Sequence, residues 1–94
     1  MTLEFEWDAS KARLNARKHR VTFAEGLSVF RDPLARLFDD PEHSGAERRE
    51  LIIGHSADLR LLVVAFVERA GRIRLISARP ATTREREDYE QHAK

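Results

Sequence analysis

The stretch ELIIGHSADLRLLVVAFVERAGRIRLISAR, residues 50–79, decides the fold. Leu61 to Val67 is an unbroken apolar run of 7 residues. That is far short of the roughly 20 a membrane helix needs, and it suits a strand buried on both faces. The reading places a central strand over Leu59 to Glu68. Before it, Glu50 to Ser56 carries Leu51-Ile52-Ile53. After it, Arg72 to Arg79 alternates Ile73 and Leu75 with Arg72 and Arg74, the period of a half-buried strand. Ala57-Asp58 and Ala70-Gly71 are short enough to turn these strands back on one another as antiparallel hairpins.

Outward from this block the periodicity changes. Leu3, Phe5 and Trp7 alternate with Thr2, Glu4 and Glu6, which predicts a further strand. Asp8 follows as an N-cap, and Ala9 to about Arg20 reads as a helix ending in Lys18, His19 and Arg20, cations that suit a helix C-terminus. Thr22 and Glu25 have capping-box spacing. Phe23, Leu27 and Phe30 then follow as a short amphipathic helix, stopped by Arg31-Asp32-Pro33. Leu34 to Asp40 can form a strand, and Asp39 to Gly45, with Pro41 and Ser44, is a turn. Thr82 and Glu85 open a last helix from Thr83 to about His92. Tyr89 is its one large apolar residue, so it is either solvated or covers something polar. The order predicts an α+β fold: a twisted antiparallel sheet of about four to five strands, with two helices before it and one after. No repeat, linker or low-complexity segment interrupts it, and 1–94 reads as a single domain.

Composition narrows the classes of function. The 94 residues carry 17 Lys+Arg against 16 Asp+Glu, a net charge of +1, which excludes a polycation or an acidic tail protein. There is no Cys, which excludes disulfides, zinc ribbons and thiol nucleophiles. The N-terminus lacks a signal pattern, so a cytoplasmic protein without membrane association is expected. The charge is uneven: residues 48–86 hold 9 basic and 4 acidic groups. Arginine forks suit phosphate, and a local arginine field is an anion or RNA surface in waiting. The plain alternative is a chain that uses Arg where others use Lys.

Four clusters are candidates for chemistry. Lys18-His19 offers a general acid or base and a phosphate-holding cation; the plain alternative is a C-cap pair. Ser77 and Arg79 share a strand face, on which Ile73 and Leu75 are expected too, and Glu85, Arg86 and Tyr89 are near neighbours on the following helix; the alternative is a surface network that pins the helix. Arg48, Arg49, Arg72 and Arg74 would make a basic sheet face for sequence-blind phosphate contacts, or protect an edge strand. Asp39, Asp40, Glu42 and His43 invite a metal, but the spacing matches no metal loop and Pro41 with Gly45 argues for a turn. No metal and no cofactor is expected. His55 and His92 stand alone.

The ordered set of motifs resembles the BrnT toxin family. FEWD at 5–8, Lys11, Asn15, Lys18-His19, Phe23 and VFRDP at 29–33 match its opening. Asp39-Asp40, Arg49, IIG at 52–54, LLVVAFVER at 61–69, RIRLISAR at 72–79, Ala81-Thr82, Glu85-Arg86 and Tyr89 continue it. The resemblance spans about residues 4–90 and implies a RelE-like fold in a type II toxin–antitoxin system. It implies a small ribonuclease that halts translation and is silenced by a ribbon-helix-helix antitoxin, touches operator DNA only through that antitoxin, and is able to pair with a second copy when free. In a metal-free ribonuclease of this kind the RNA 2′-OH attacks phosphorus. For that chemistry Arg79 is expected to steady the phosphate with Lys18 beside it, and His19 is the best candidate for acid or base. Tyr89 stacks on a base or lends its hydroxyl. Arg49, Arg74 and Arg86 hold flanking phosphates, and Glu85 orients Arg86 or Arg79. This mechanism requires His19, Arg79 and Tyr89 to converge. The other class is a non-catalytic binder of RNA or antitoxin that co-represses a promoter. One position departs from the family: Gly usually follows Lys-His, and here Arg20 stands there. Either the helix ends differently or Arg20 takes a strained left-handed conformation, and the pose of His19 depends on which.

Overall fold

A computed structural model describes residues 3–43 and 45–92. Thr2 and Ser44, which entered the strand and turn readings above, lie outside the described residues. The elements run β1 (Glu4–Glu6), α1 (Ala9–His19), α2 (Phe23–Ser28), β2 (Arg36–Asp39), β3 (Arg49–His55), β4 (Leu61–Arg69), β5 (Arg72–Pro80) and α3 (Thr83–His92). A 3₁₀ turn over Val29–Arg31 ends α2, and another over Pro41–His43 occupies the expected turn. The fold class is α+β, as the sequence implied.

The strands form one sheet in the order β1-β5-β4-β3-β2. The sheet is mixed rather than wholly antiparallel, because β1 pairs parallel with β5, Phe5 against Ile73. The reason is topological: β1 reaches β5 only after the rest of the chain has crossed, and no hairpin constrains its direction. The three strands of the deciding stretch are antiparallel as read, with Ile52 against Val64 and Val64 against Ala78. The first turn is wider than expected. The Ser56 N–H donates to the Arg60 carbonyl at 2.8 Å, and Leu59 sits at φ 64°, so β4 starts at Leu61.

Paired residues share a face, so the register defines two sides. Ile52, Leu62, Val64, Phe66, Ile73, Leu75 and Ala78 face α1 and α2 and form the main core with Val21, Phe23 and Val29. Phe30 packs edge-to-face on both Phe5 and Phe66, at 5.0 and 5.2 Å between ring centres. The opposite side holds a smaller cluster, Ile53, Leu61 and Val63 under Tyr89 of α3. The last helix, nearly bare of apolar residues, thus spends its one large ring as an anchor.

Candidate functional site

A bulge shapes the functional end of β5. Ala65 pairs with Ser77 but Phe66 pairs with Leu75, leaving Ile76 extra. The additional residue flips the alternation. Ser77 and Arg79 therefore do not share a face with Ile73 and Leu75, as simple period-2 reading had them; Ala78 continues the core side, and Ser77 and Arg79 turn to the α3 side. Arg49, Val67 and Arg74 are in mutual register on that same side. One face of the sheet therefore carries Arg49, Arg74, Ser77 and Arg79; of the arginines grouped in the sequence reading, Arg48 lies outside β3 and pairs with Asp39 instead.

Two of these arginines, Arg79 and Arg74, are held in place by carboxylates. Arg79 makes a two-pronged contact with Glu85, Nη1 to Oε1 at 2.7 Å and Nη2 to Oε2 at 2.9 Å. Arg79 holds the Glu85 carboxyl down to about 2, against the opposing cost of burial. Glu85 also accepts from the Thr82 N–H and returns its own N–H to the Thr82 hydroxyl, closing the expected capping box. It orients Arg79, not Arg86, which is exposed. Arg74 donates to Glu6 at 2.7 Å.

Lys18 and His19 sit elsewhere. They line a groove of about 220 Å³ between α1 and the bulged edge of β5, with Leu14, Asn15, Ile76 and Ser77. Beyond Arg74 no strand lies beside that edge among the described residues. Asn15, on α1, closes it instead: its Nδ2 donates to the Ala78 carbonyl at 2.7 Å and its Oδ1 accepts the Ala78 N–H at 3.0 Å. A side-chain amide thus takes the place of a strand neighbour. His19 and Arg79 approach β5 from different sides, with Ser77 common to both surroundings, and no hydrogen bond or ion pair joins them among the described residues. Arg20 resolves the sequence ambiguity: it caps α1 in the left-handed region at φ 57°, ψ 34°, its N–H on the Ala16 carbonyl. Arg60 supports that cap by donating to the Arg20 carbonyl at 2.9 Å while clasping Glu25.

Tyr89 is not available to stack on a base. It is 4% exposed, and its hydroxyl donates to Asp32 Oδ2 at 3.2 Å. Burial first, then the nearby Asp32 charge, raise its pKa. The three-way convergence of His19, Arg79 and Tyr89 is therefore only partly present: Arg79 and Tyr89 belong to the α3 side, and His19 to the α1 groove.

Sequence reasoning missed the Asp32–His55 pair. Asp32 accepts the His55 N–H at 2.7 Å and the Leu34 N–H at 2.9 Å. Burial raises its carboxyl, but the His55 and Leu34 N–H groups and the Tyr89 hydroxyl outweigh that, and its pKa is lowered. The His55 ring lies 5.4 Å from the Tyr89 ring, edge to face, and its Nδ1 is 3.7 Å from Asp32. Asp32 and His55 are 23 positions apart, so no local spacing marked them. Arg36, Phe38, Leu51, Ile53 and Val63 continue this area into a largely apolar groove of about 480 Å³ beside α3. The acidic cluster on the other loop is local: His43 pairs with Asp40 at 3.1 Å, and Asp39 with Arg48. No group of three or more potential metal ligands occurs among the described residues. Nor is any helix among them long and apolar enough to cross a membrane.

Fold and site together define a small α+β protein with an arginine-bearing sheet face, suited to a polyanion. The model of a family described as "Ribonuclease toxin, BrnT, of type II toxin-antitoxin system" matches residues 7–85. The chain belongs to that family, and is a ribonuclease toxin whose system pairs it with an antitoxin and directs it at RNA. It is similar to the Brucella abortus ribonuclease toxin BrnT, known from a crystal structure at 1.1 Å resolution, with a TM-score of 0.66 and 26% identity over 87% of this chain and 100% of that one. No curated protein matches the chain.

Proposed function

We propose that the protein is a metal-independent endoribonuclease that cleaves RNA by attack of the 2′-OH and so inhibits translation. The observation that carries this reading is the bulge at Ile76, which turns Ser77 and Arg79 onto the face that Arg49 and Arg74 already occupy. Guanidinium groups on a rigid sheet supply the fixed positive charge that a pentavalent phosphorane needs, and they do so without reorganising at the moment of reaction. The scissile phosphate would sit against Arg79, and Lys18 and His19, which line the α1 groove on the other side of β5, would meet it only around the strand edge at Ser77. As the 2′-O–P bond forms and the P–O5′ bond breaks, His19 would either take the 2′-OH proton as base or give a proton to the departing 5′-oxygen as acid. Arg49 and Arg74 would hold flanking phosphates, and Arg86 a further one from the exposed side of α3. Glu85 would keep Arg79 aimed. In place of the stacking role read from sequence, Tyr89 would act by fixing Asp32, and through it the end of β3. The antitoxin would be of ribbon-helix-helix type, bringing operator DNA to the complex, and a homodimer of the free toxin fits the same reading.

Purified protein incubated with RNA in excess chelator tests it. Multiple turnovers are expected, and a substrate with 2′-deoxyribose at the cut position should resist. Arg79→Ala should lose cleavage and relieve growth arrest with the fold intact. Turnover below one would instead favour the non-catalytic binder, and cleavage of the deoxy substrate would remove the 2′-OH mechanism.

A further inference from the structure

Two of the cations assigned to the proposed chemistry are paired with carboxylates, Arg74 with Glu6 and Arg79 with Glu85, as is the neighbouring Arg72 with Glu4. The outer face of α1 is different. Residues 9–19 contain no Asp or Glu. Arg13, Arg17, Lys18 and Arg20 are exposed, and none of them lies within ion-pair distance of a carboxylate among the described residues. Arg13, Arg17 and Arg20 follow one another at i, i+4 and i+7, so they form a row along one side of the helix, and with Ala16 they line a shallow groove of about 460 Å³. The rise from Arg13 to Arg17 is about 6 Å, close to the separation of successive phosphates on a nucleic-acid strand. Lys18 is next to Arg17 and also lines the groove that contains Ser77.

We infer that the outer face of α1 is a track for the RNA backbone, receiving the substrate strand as it leaves the Ser77–Arg79 region. The inference rests on the ribonuclease reading above and extends its substrate surface beyond the reacting phosphate. Charge complementarity selects the occupant. Uncompensated arginines in a line, with Leu14 the one large apolar residue beside them, match a polar, phosphate-dominated interface better than the apolar centre a protein partner requires. Contacts of this kind read charge and not base, so the track would add affinity and salt sensitivity without sequence preference.

The test uses a short 2′-O-methyl single-stranded RNA, which has no nucleophile, and follows binding by fluorescence anisotropy across a salt series. A variant carrying Arg13→Ala, Arg17→Ala and Arg20→Ala should lose about 2 from the slope of log affinity against log salt, at about 0.7 per phosphate contact. That corresponds to roughly 100-fold weaker binding near 0.1 M salt. The charge-keeping variant Arg13→Lys, Arg17→Lys and Arg20→Lys should retain the wild-type slope, which separates lost charge from a damaged helix. Wild-type protein that cuts RNA while the alanine variant binds with an unchanged slope overturns the track and leaves the ribonuclease reading standing. An alanine variant that keeps its RNA slope but no longer binds its antitoxin also overturns it, by assigning the face to a protein. Wild-type protein that neither binds nor cuts RNA removes both.

Discussion

Replacing Asn15 by Ala removes the side chain that ties α1 to the bulged edge of β5. Three hydrogen bonds are lost: Nδ2 to the Val21 and Ala78 carbonyls, and the Ala78 N–H to Oδ1. Ala78 and Val21 are both 0% exposed, so water does not reach the stranded groups without local opening. Each stranded backbone group costs about 1–3 kcal/mol. Alanine recovers about 0.5 kcal/mol of helix propensity. For the three groups together the net loss is expected at about 2.5 kcal/mol or more, a large part of the roughly 5–14 kcal/mol available to a domain of this size. A loss of about 3 kcal/mol lowers Tm by roughly 12–24 °C. Trp7 reports the transition, since its ring packs edge-to-face on Phe23 at 5.9 Å. Asn15→Asp sharpens the test. It keeps an acceptor for the Ala78 N–H but points a carboxylate at two carbonyls, so it should be worse than Ala at neutral pH and recover in acid, where a protonated carboxyl donates. Because Asn15 also sets Lys18 and His19 against Ser77, cleavage should fall further than the unfolded fraction explains. A loss below about 1 kcal/mol for Asn15→Ala, or a wild-type melt for Asn15→Asp at neutral pH, would refute the view that this amide replaces a strand neighbour.

The Glu85 carboxyl is depressed to about 2 from an ordinary 4.5, so its contribution is fully present above the ordinary value and is lost as pH falls toward about 2. The pair is partly exposed, and screening reduces its worth to about 1 kcal/mol or less; urea midpoints of wild type and Glu85→Gln should converge over that acid range. Arg20→Gly should stabilise by about 0.5–1 kcal/mol, because glycine adopts the left-handed cap without strain, and it leaves the Arg20 carbonyl in place for Arg60; an unchanged or lower denaturation midpoint would contradict this. A Cβ at position 54 would lie 2.9 Å from the Ala35 Cβ and 3.0 Å from Asp32 Oδ2. Gly54→Ala should therefore cost about 1–3 kcal/mol and, by moving Asp32, broaden the NMR signals of His55 and Tyr89; a sharp, native-like spectrum would count against a rigid Asp32 anchor.

Much of this molecule is local and therefore legible in the chain. Apolar runs and alternation in residues 50–79 specify three neighbouring strands, and Asp8, Thr22 and Thr82 cap helices where their spacing says they should. The arginines of the sheet face could also be named in advance, because their residue type limits what they can bind. What the chain does not display is anything that depends on one inserted residue or on distant partners. The extra Ile76 reverses which side Ser77 and Arg79 face, and no alternation rule anticipates a bulge. Asn15 meets Ala78 across 63 positions and Asp32 meets Tyr89 across 57, so neither pairing leaves a spacing to read. Side-chain periodicity records which groups want burial or water; only closure of the sheet, with its parallel β1 and its half-open β5 edge, decides which of them meet.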